Sequence, residues 1–348
     1  RMQRHSVRVT LLEGPFVGAK ALLAAIYHQT GEDQKACQEA TELLQFLQQH
    51  TTPLAASECE VLYGRAGALQ AILFLRHELQ EENFGRELVL SLAQSIVQEG
   101  VRTAVSAGAG SSSATPLPLR WAWHEKSYLG AAHGIVGILH TLLCLSPTEL
   151  NEISINDKKG DLPGLIQNTI RALDSCCWPE SGNLRSSLES SSPEDTLVHW
   201  CHGAPGHVLL LVKASEVFQD ASYVEKARLI GTNVVWPRGL LRKGVGLCHG
   251  ISGNAYSLLA LGRPHANSTG DGNGQTDPMI WLRRTSYFAA FSLEKWSDLE
   301  LVPDNPYSVF EGAGGLALLM IDLAMLNHKY NTTKETSIRD ARFPLYDF

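Results

Sequence analysis

The chain has 348 residues, 44% of them hydrophobic, with a formal net charge of −7 and a pI near 6.0. That is enough apolar material for a sizeable core, and it excludes a disordered chain. No basic block or Lys/Arg stripe is present, so no nucleic-acid partner is expected. No apolar run reaches the roughly 18 to 20 residues of a membrane span, so no transmembrane segment is expected either.

Seven cysteines (Cys37, Cys59, Cys144, Cys176, Cys177, Cys201 and Cys248) form an odd set without framework spacing. Such usage predicts a reducing compartment, the cytoplasm, where the sequons at Asn267 and Asn331 stay unglycosylated. Because the chain opens on Arg1, a native N-terminal segment is expected ahead of it, and through it peripheral attachment at the plasma membrane.

Along the chain a Gly-x-x-Gly or closely related turn recurs six times, with last glycines at Gly18, Gly67, Gly137, Gly206, Gly253 and Gly315. The first copy, Gly14 to Gly18, carries one extra residue. After the turns come runs that are apolar on nearly every side, such as Ala68 to Leu75, Ile138 to Leu145, Val208 to Val212 and Leu316 to Leu326, which read as buried helices. Between them lie one-sided stripes, such as Leu88, Val89, Leu92, Ile96 and Val97, or Leu162, Leu165, Ile166, Thr169, Ile170 and Leu173. Spacings of three and four place these on outer helices packed over an inner layer.

Alternating outer and inner helices with glycine turns predict an all-α fold: a double-layered α/α toroid, or barrel, of helical hairpins spanning 1–348 as a single domain. An open helical solenoid is the rival architecture. Closure is preferred because the last inner helix, Leu316 to Leu326, is as apolar as the central ones and carries no polar cap. Three polar segments, 106–116, 181–195 and 262–278, are expected to be flexible loops. The third falls where an outer helix would be expected.

The chemistry gathers at the turns. Trp200-Cys201-His202-Gly203-Ala204-Pro205-Gly206 and Leu247-Cys248-His249-Gly250-Ile251-Ser252-Gly253 share the wording Cys-His-Gly-x-x-Gly. Two thiolates and one imidazole, from Cys201, Cys248 and His249, suit one zinc ion and leave a fourth tetrahedral position open, as catalytic sites do. The competing readings are a closed structural site completed by His202, and small buried cysteines with no metal. His133 occupies the matching place one turn earlier, in Gly130-Ala131-Ala132-His133-Gly134, and is a fourth ligand or a general acid/base. Arg242 and Lys243 precede the Cys248 turn and Lys126 the His133 turn, as candidate partners for an anionic group or a forming enolate. No carboxylate pair recurs at the turns, which argues against glycosidase chemistry; Glu311 stands alone.

Trp200 to Gly206, Gly246 to Asn254, Gly130 to Gly137 and Phe310 to Gly315 together resemble, in order and wording, the signature turns of the lanthionine synthetase C-like (LanC-like) family, eukaryotic branch. The resemblance runs from the first glycine turn to Arg342-Phe343-Pro344. It implies a double-layered α-barrel holding one zinc through Cys201, Cys248 and His249. It also implies that His133 matches an active-site histidine and that Lys243 matches a lysine tied to phosphate elimination. The implied activity is thioether formation, adding glutathione or a peptide thiol to dehydroamino acids in a dehydrated or phosphorylated peptide or protein, with phosphate elimination from phosphoserine or phosphothreonine as an earlier step. The alternative is a non-catalytic zinc- and glutathione-binding adaptor or regulator. Replacing Cys248 with alanine is expected to abolish zinc binding; full metal content in that variant, measured by elemental analysis, would sink the ligand assignment.

Overall fold

The computed structural model describes residues 7–108, 117–155, 158–190, 194–263, 277–333, 338 and 341–348. Among these residues the regular elements are helices apart from one antiparallel two-residue ribbon, Ser154–Ile155 with Lys158–Lys159. The chain divides into two compact units, Arg1–Tyr128 with His133–Ala172 and Phe348, and Leu129–Ala132 with Leu173–Asp347.

In the first unit the helices are α1 (Pro15–Gln29), α2 (Asp33–Thr51), α3 (Arg65–Leu79), α4 (Arg86–Gly108), α5 (Ile135–Leu142), α6 (Pro147–Glu152) and α7 (Leu162–Ala172). The second holds α8 (Ala204–Phe218), α9 (Ala221–Ile230), α10 (Trp236–Arg238), α11 (Ile251–Ala260), α12 (Pro278–Glu294), α13 (Trp296–Leu299) and α14 (Ala313–Thr333). Hairpin pairing follows chain order: α1 packs on α2, α3 on α4, α8 on α9 and α11 on α12. The helices that follow glycine turns also pack on one another, α1 on α3, α3 on α5, α8 on α11 and α11 on α14.

Burial separates the two layers. Every residue of α5 and α11 is buried, as are Arg65 to Arg76 of α3 and Ala204 to Ser215 of α8. The partner helices bury one stripe each: Ala36, Ala40, Leu43 and Leu47 in α2, Leu162, Ile166, Thr169 and Ile170 in α7. An all-apolar helix has no face to offer water, so it takes the inner layer and leaves the outer one to amphipathic partners. The all-α hairpin architecture is therefore the expected one.

The last glycine of a turn lies against the chain's own backbone. A Cβ on Gly67, Gly206, Gly253 or Gly315 would stand 2.0, 2.5, 1.8 or 2.5 Å from the carbonyl oxygen six residues earlier, on Val61, Trp200, Leu247 and Val309. Those distances are far inside van der Waals contact, so the repeat is written in glycine because no other residue lets the chain double back so tightly into a helix.

Three expectations change. The segment 262–278 does not replace an outer helix: α12 begins at Pro278, capped by Asp277, whose carboxylate accepts from Met279 N at 2.9 Å, and packs along α11. The aromatic-rich run from Met279 to Leu293 hides its stripe: Trp281, Thr285, Phe288, Ala289 and Ser292 point inward. Residues 264–276 of that loop, like 109–116 of the 106–116 segment, lie outside the described residues. The described part of 181–195 is tied down rather than loose, with Asn183 and Leu184 each 1% exposed. Finally, α14, like α1, is not buried all round as α3, α5, α8 and α11 are over most or all of their length. Leu316, Leu319 and Leu326 are buried where α14 packs with α11 and α12, whereas Ile321 and Met325 are 54% and 66% exposed.

Gly253→Ala is expected to destabilise the protein by about 3 kcal/mol or more, since the added methyl must displace backbone rather than a side chain. Urea unfolding checks this, with Gly108→Ala as the open-space comparison: nothing stands within 4 Å of a Cβ at Gly108.

Candidate metal centre

Successive turns of the second unit are stitched backbone to backbone. Ala131 N donates to Trp200 O at 3.4 Å, Cys201 N to Cys248 O at 3.2 Å, and Cys248 N to Phe310 O at 2.7 Å. Close approach is again enforced by missing side chains: a Cβ on Gly130 would lie 1.9 Å from Cys201 O, and one on Gly246 2.2 Å from the Glu311 carbonyl carbon. The Cys201 and Cys248 turns are thus held side by side at the N-termini of α8 and α11.

That stitching brings one ligand atom each from Cys201, Cys248 and His249 within 4.8 Å of one another. Cys201 is buried, at 7% exposure, and the other two are half-buried. The Cys201 thiol is held well below its ordinary pKa, chiefly by its hydrogen bond with Cys248 and further by bonds with His199 and His249, against the opposing effect of burial. His249 is pushed up, first by its bond with Cys201, with burial opposing; Glu311 adds to the rise and Lys243 counters it. The donor set fits a soft or borderline divalent cation. Two sulfurs and an imidazole nitrogen need only small adjustment to reach one ion at bond lengths of about 2.0 to 2.3 Å, and three protein ligands leave a tetrahedral position over.

Two supports hold the Cys201 turn. On one side Trp200, fully buried, stacks on Phe343 at 5.4 Å between ring centroids and meets Tyr346 edge-on at 5.1 Å, so the tail packs directly behind the ligand. On the other, Asn183 reaches in from the 181–195 segment. Its Oδ1 accepts from Ala204 N at 2.7 Å, and its Nδ2 donates to Asp195 Oδ1 at 2.6 Å and Leu197 O at 2.8 Å. Asp195 is held in turn by Ser181 at 2.6 Å and Arg238 at 2.7 Å, and these hydrogen bonds, together with that from Asn183, keep its carboxyl below the usual range although burial opposes them. Gly203, at the N-cap of α8, has no side chain with which to cap the helix, and Asn183 supplies the missing acceptor from a distance.

His133 belongs to the first unit and sits just before α5. Its Nδ1 is 2.8 Å from Glu60 Oε2, and its ring stacks on Trp123 at 4.2 Å and 4°. Glu60 is 1% exposed and also accepts from Leu62 N at 2.9 Å. A carboxylate only accepts, so the proton on this side of the ring sits on Nδ1 and Nε2 is the nitrogen left for other chemistry. Lys243 and Arg242 are exposed in the second unit, and Gly244, at φ 109°, carries the chain from them into the Cys248 turn.

Sequence reasoning missed Glu60, His199 and Asn183. A carboxylate four residues ahead of Gly64 was a visible signal for Glu60, since it falls on the approach to a glycine turn. His199, two residues before Cys201, was open to the same argument; Asn183, remote in sequence, was not.

An all-α chain of hairpins whose glycine turns gather two cysteines and a histidine defines a class of thiolate- and imidazole-lined α/α proteins. Within that class, the chain belongs to the lanthionine synthetase C-like protein family, whose profile matches residues 3–332. It is 31% identical over 315 residues to a zebrafish (Danio rerio) relative named glutathione S-transferase LANCL1, covering 90% of this chain and 71% of the relative. It is 33% identical over 292 residues to the Arabidopsis thaliana LanC-like protein GCL1, covering 83% of this chain and 57% of that one. Among solved structures, nisin cyclase aligns over 92% of this chain and 90% of its own, with a TM-score of 0.47 and 16% identity. No helix among the described residues is long and apolar enough to cross a membrane.

Asn183→Ala is expected to cost about 1 to 3 kcal/mol, because it strands the Ala204 N–H and removes a partner from Asp195. Thermal or urea unfolding measures the loss; an unchanged midpoint would show that the strap does not hold the turn.

Proposed function

We propose that this chain is a zinc-dependent enzyme that forms thioethers, adding glutathione to dehydroamino acids in peptides or proteins. The observation that carries the proposal is the convergence of Cys201, Cys248 and His249, which makes three protein ligands among the described residues. A relative at 31% identity bears the name glutathione S-transferase, which supports glutathione as the thiol. A zinc ion held by these three residues would supply a thiol bound as thiolate at neutral pH.

The chain's own residues are assigned the rest. The sulfur of glutathione bonds to the β-carbon of dehydroalanine or dehydrobutyrine, the carbon–carbon double bond opens, and the α-carbon takes up a proton. His133 is the proposed proton donor to that carbon through Nε2, with Glu60 holding Nδ1 and Trp123 fixing the plane of the ring. Lys243 is the proposed cation for the carbonyl oxygen, which gains negative charge while the α-carbon awaits its proton, and it serves equally for a phosphate leaving phosphoserine or phosphothreonine.

Incubation of the zinc-loaded protein with glutathione and a dehydroalanine peptide is expected to give the peptide plus one glutathione by mass spectrometry. His133→Ala is expected to lower the rate by roughly 100-fold or more while leaving zinc content unchanged. Zinc-loaded wild-type protein that binds glutathione and yields no adduct would overturn the enzymatic reading in favour of a binding role.

A further inference from the structure

Three of the stitched turns share one neighbour in the C-terminal tail. The ring of Phe343, wholly buried, lies 5.4 Å from Trp200, 5.8 Å from Tyr256 and 6.5 Å from Phe310 between centroids. Each of those rings belongs to a turn that builds the metal centre, or to the helix that follows it. Trp200 precedes Cys201, the main-chain oxygen of Phe310 accepts from Cys248 N at 2.7 Å, and Tyr256 stands on α11, which the Cys248–His249 turn enters. Tyr346 adds a second ring from the tail, 5.1 Å from Trp200 and 5.6 Å from Phe343.

The tail is locked there by the buried Arg263. Its Nη2 donates to Ala341 O at 3.3 Å and its Nη1 lies 2.5 Å from Asp347 Oδ2, so one guanidinium grips the tail on both sides of Phe343. Between these grips the chain turns back on itself. Tyr346 N and Asp347 N both donate to Phe343 O, at 3.2 and 3.1 Å, with Leu345 in the left-handed region at φ 59°. Glu216 of α8 lies 3.7 Å from Arg263 Nη1, and Arg342 Nη1 lies 3.4 Å from Asp347 Oδ1. A buried ion pair that loses one partner leaves the other charge uncompensated, so removing either side opens the lock.

The hydrogen bond from Cys201 N to Cys248 O fixes a distance between the two ligand turns but not their angle. A tetrahedral ion needs all its ligands in place at once, so that angle matters. Rings packed face and edge against one another at interior density leave little room for it to vary. We propose that Phe343 is a positioning residue for the metal centre: wedged among Trp200, Tyr256 and Phe310, it sets the angle between the ligand-bearing turns, and the Arg263–Asp347 pair holds it in place. This rests on the zinc reading above and adds to it a support from the tail.

Phe343→Leu keeps the position apolar and removes the flat ring. It is expected to weaken zinc binding by roughly tenfold or more in a chelator competition. It is also expected to alter the visible ligand-field bands of the cobalt(II)-substituted protein, which report coordination geometry. Phe288→Leu is the comparison, because Phe288 is equally buried in the same unit and packs on Trp236 of α10. That variant is expected to lower the urea midpoint as Phe343→Leu does, with zinc affinity and cobalt spectrum unchanged. Asp347→Asn is expected to speed trypsin cleavage after Arg342, read by mass spectrometry, and to weaken zinc binding with it. Coupling between two sites is reciprocal, so zinc loading of the wild-type protein is expected to slow cleavage after Arg342 more than cleavage elsewhere in the chain. A Phe343→Leu protein with the zinc affinity and cobalt spectrum of Phe288→Leu overturns the proposal. So does an Asp347→Asn protein whose tail is cut faster while zinc affinity stays at the wild-type value, and unchanged cleavage in that variant overturns the lock. Should Phe343→Leu fail to fold, the wild-type digestion decides: selective protection of Arg342 by zinc supports the proposal, and its absence overturns it. Wild-type protein that takes up neither cobalt nor zinc overturns the metal reading itself, which is a separate failure.

Discussion

The site depends on contacts of backbone with backbone between consecutive glycine turns. Ala131 N to Trp200 O, Cys201 N to Cys248 O and Cys248 N to Phe310 O join four turns that are distant in sequence, and the first and last of these joints close only where Gly130 and Gly246 present no side chain. Side-chain packing tolerates repacking with modest losses, but a peptide group 1.9 Å from a would-be Cβ leaves no alternative rotamer to choose. The metal-ligand spacing is therefore set by main-chain geometry, and the cysteines inherit it.

A second constraint is where the polar cost falls. Each inner helix starts at a glycine, which offers no capping side chain, so the first N–H groups of α8 need an acceptor from elsewhere. Asn183 provides it for Ala204, and the chain Asn183–Asp195–Arg238 spreads the charge of the strap over residues from three stretches. In the first unit the buried carboxylate of Glu60 satisfies the Leu62 N–H and orients His133 with the same oxygen, Oε2. Buried polar groups at these turns thus do two things at once: they satisfy the backbone and they hold a functional ring or ligand.

Legibility in the sequence followed period and wording. The glycine repeat, the all-apolar runs behind it and the one-sided stripes between determined the layers, since 3.6-residue periodicity reads out burial directly. α12 escaped because its inward residues mix Trp281 and Phe288 with Thr285 and Ser292, so that hydroxyl-bearing positions break the apolar stripe while bonding their own helix at Trp281 O and Phe288 O. The exposed apolar face of α14 escaped for the opposite reason: composition reports how apolar a helix is and not how many neighbours it finds.

By itself the sequence determined the helical hairpins, the glycine entrances and the residue types able to hold a soft cation, because each of those is a local property of spacing and chemistry. Only the tertiary structure decided that Cys201, Cys248 and His249 meet within 4.8 Å, and that Glu60 and Asn183 serve residues 73 and 21 positions away. A local pattern carries no information about which distant carbonyl an N–H will find. That is settled where two turns pack, by the absence of a Cβ.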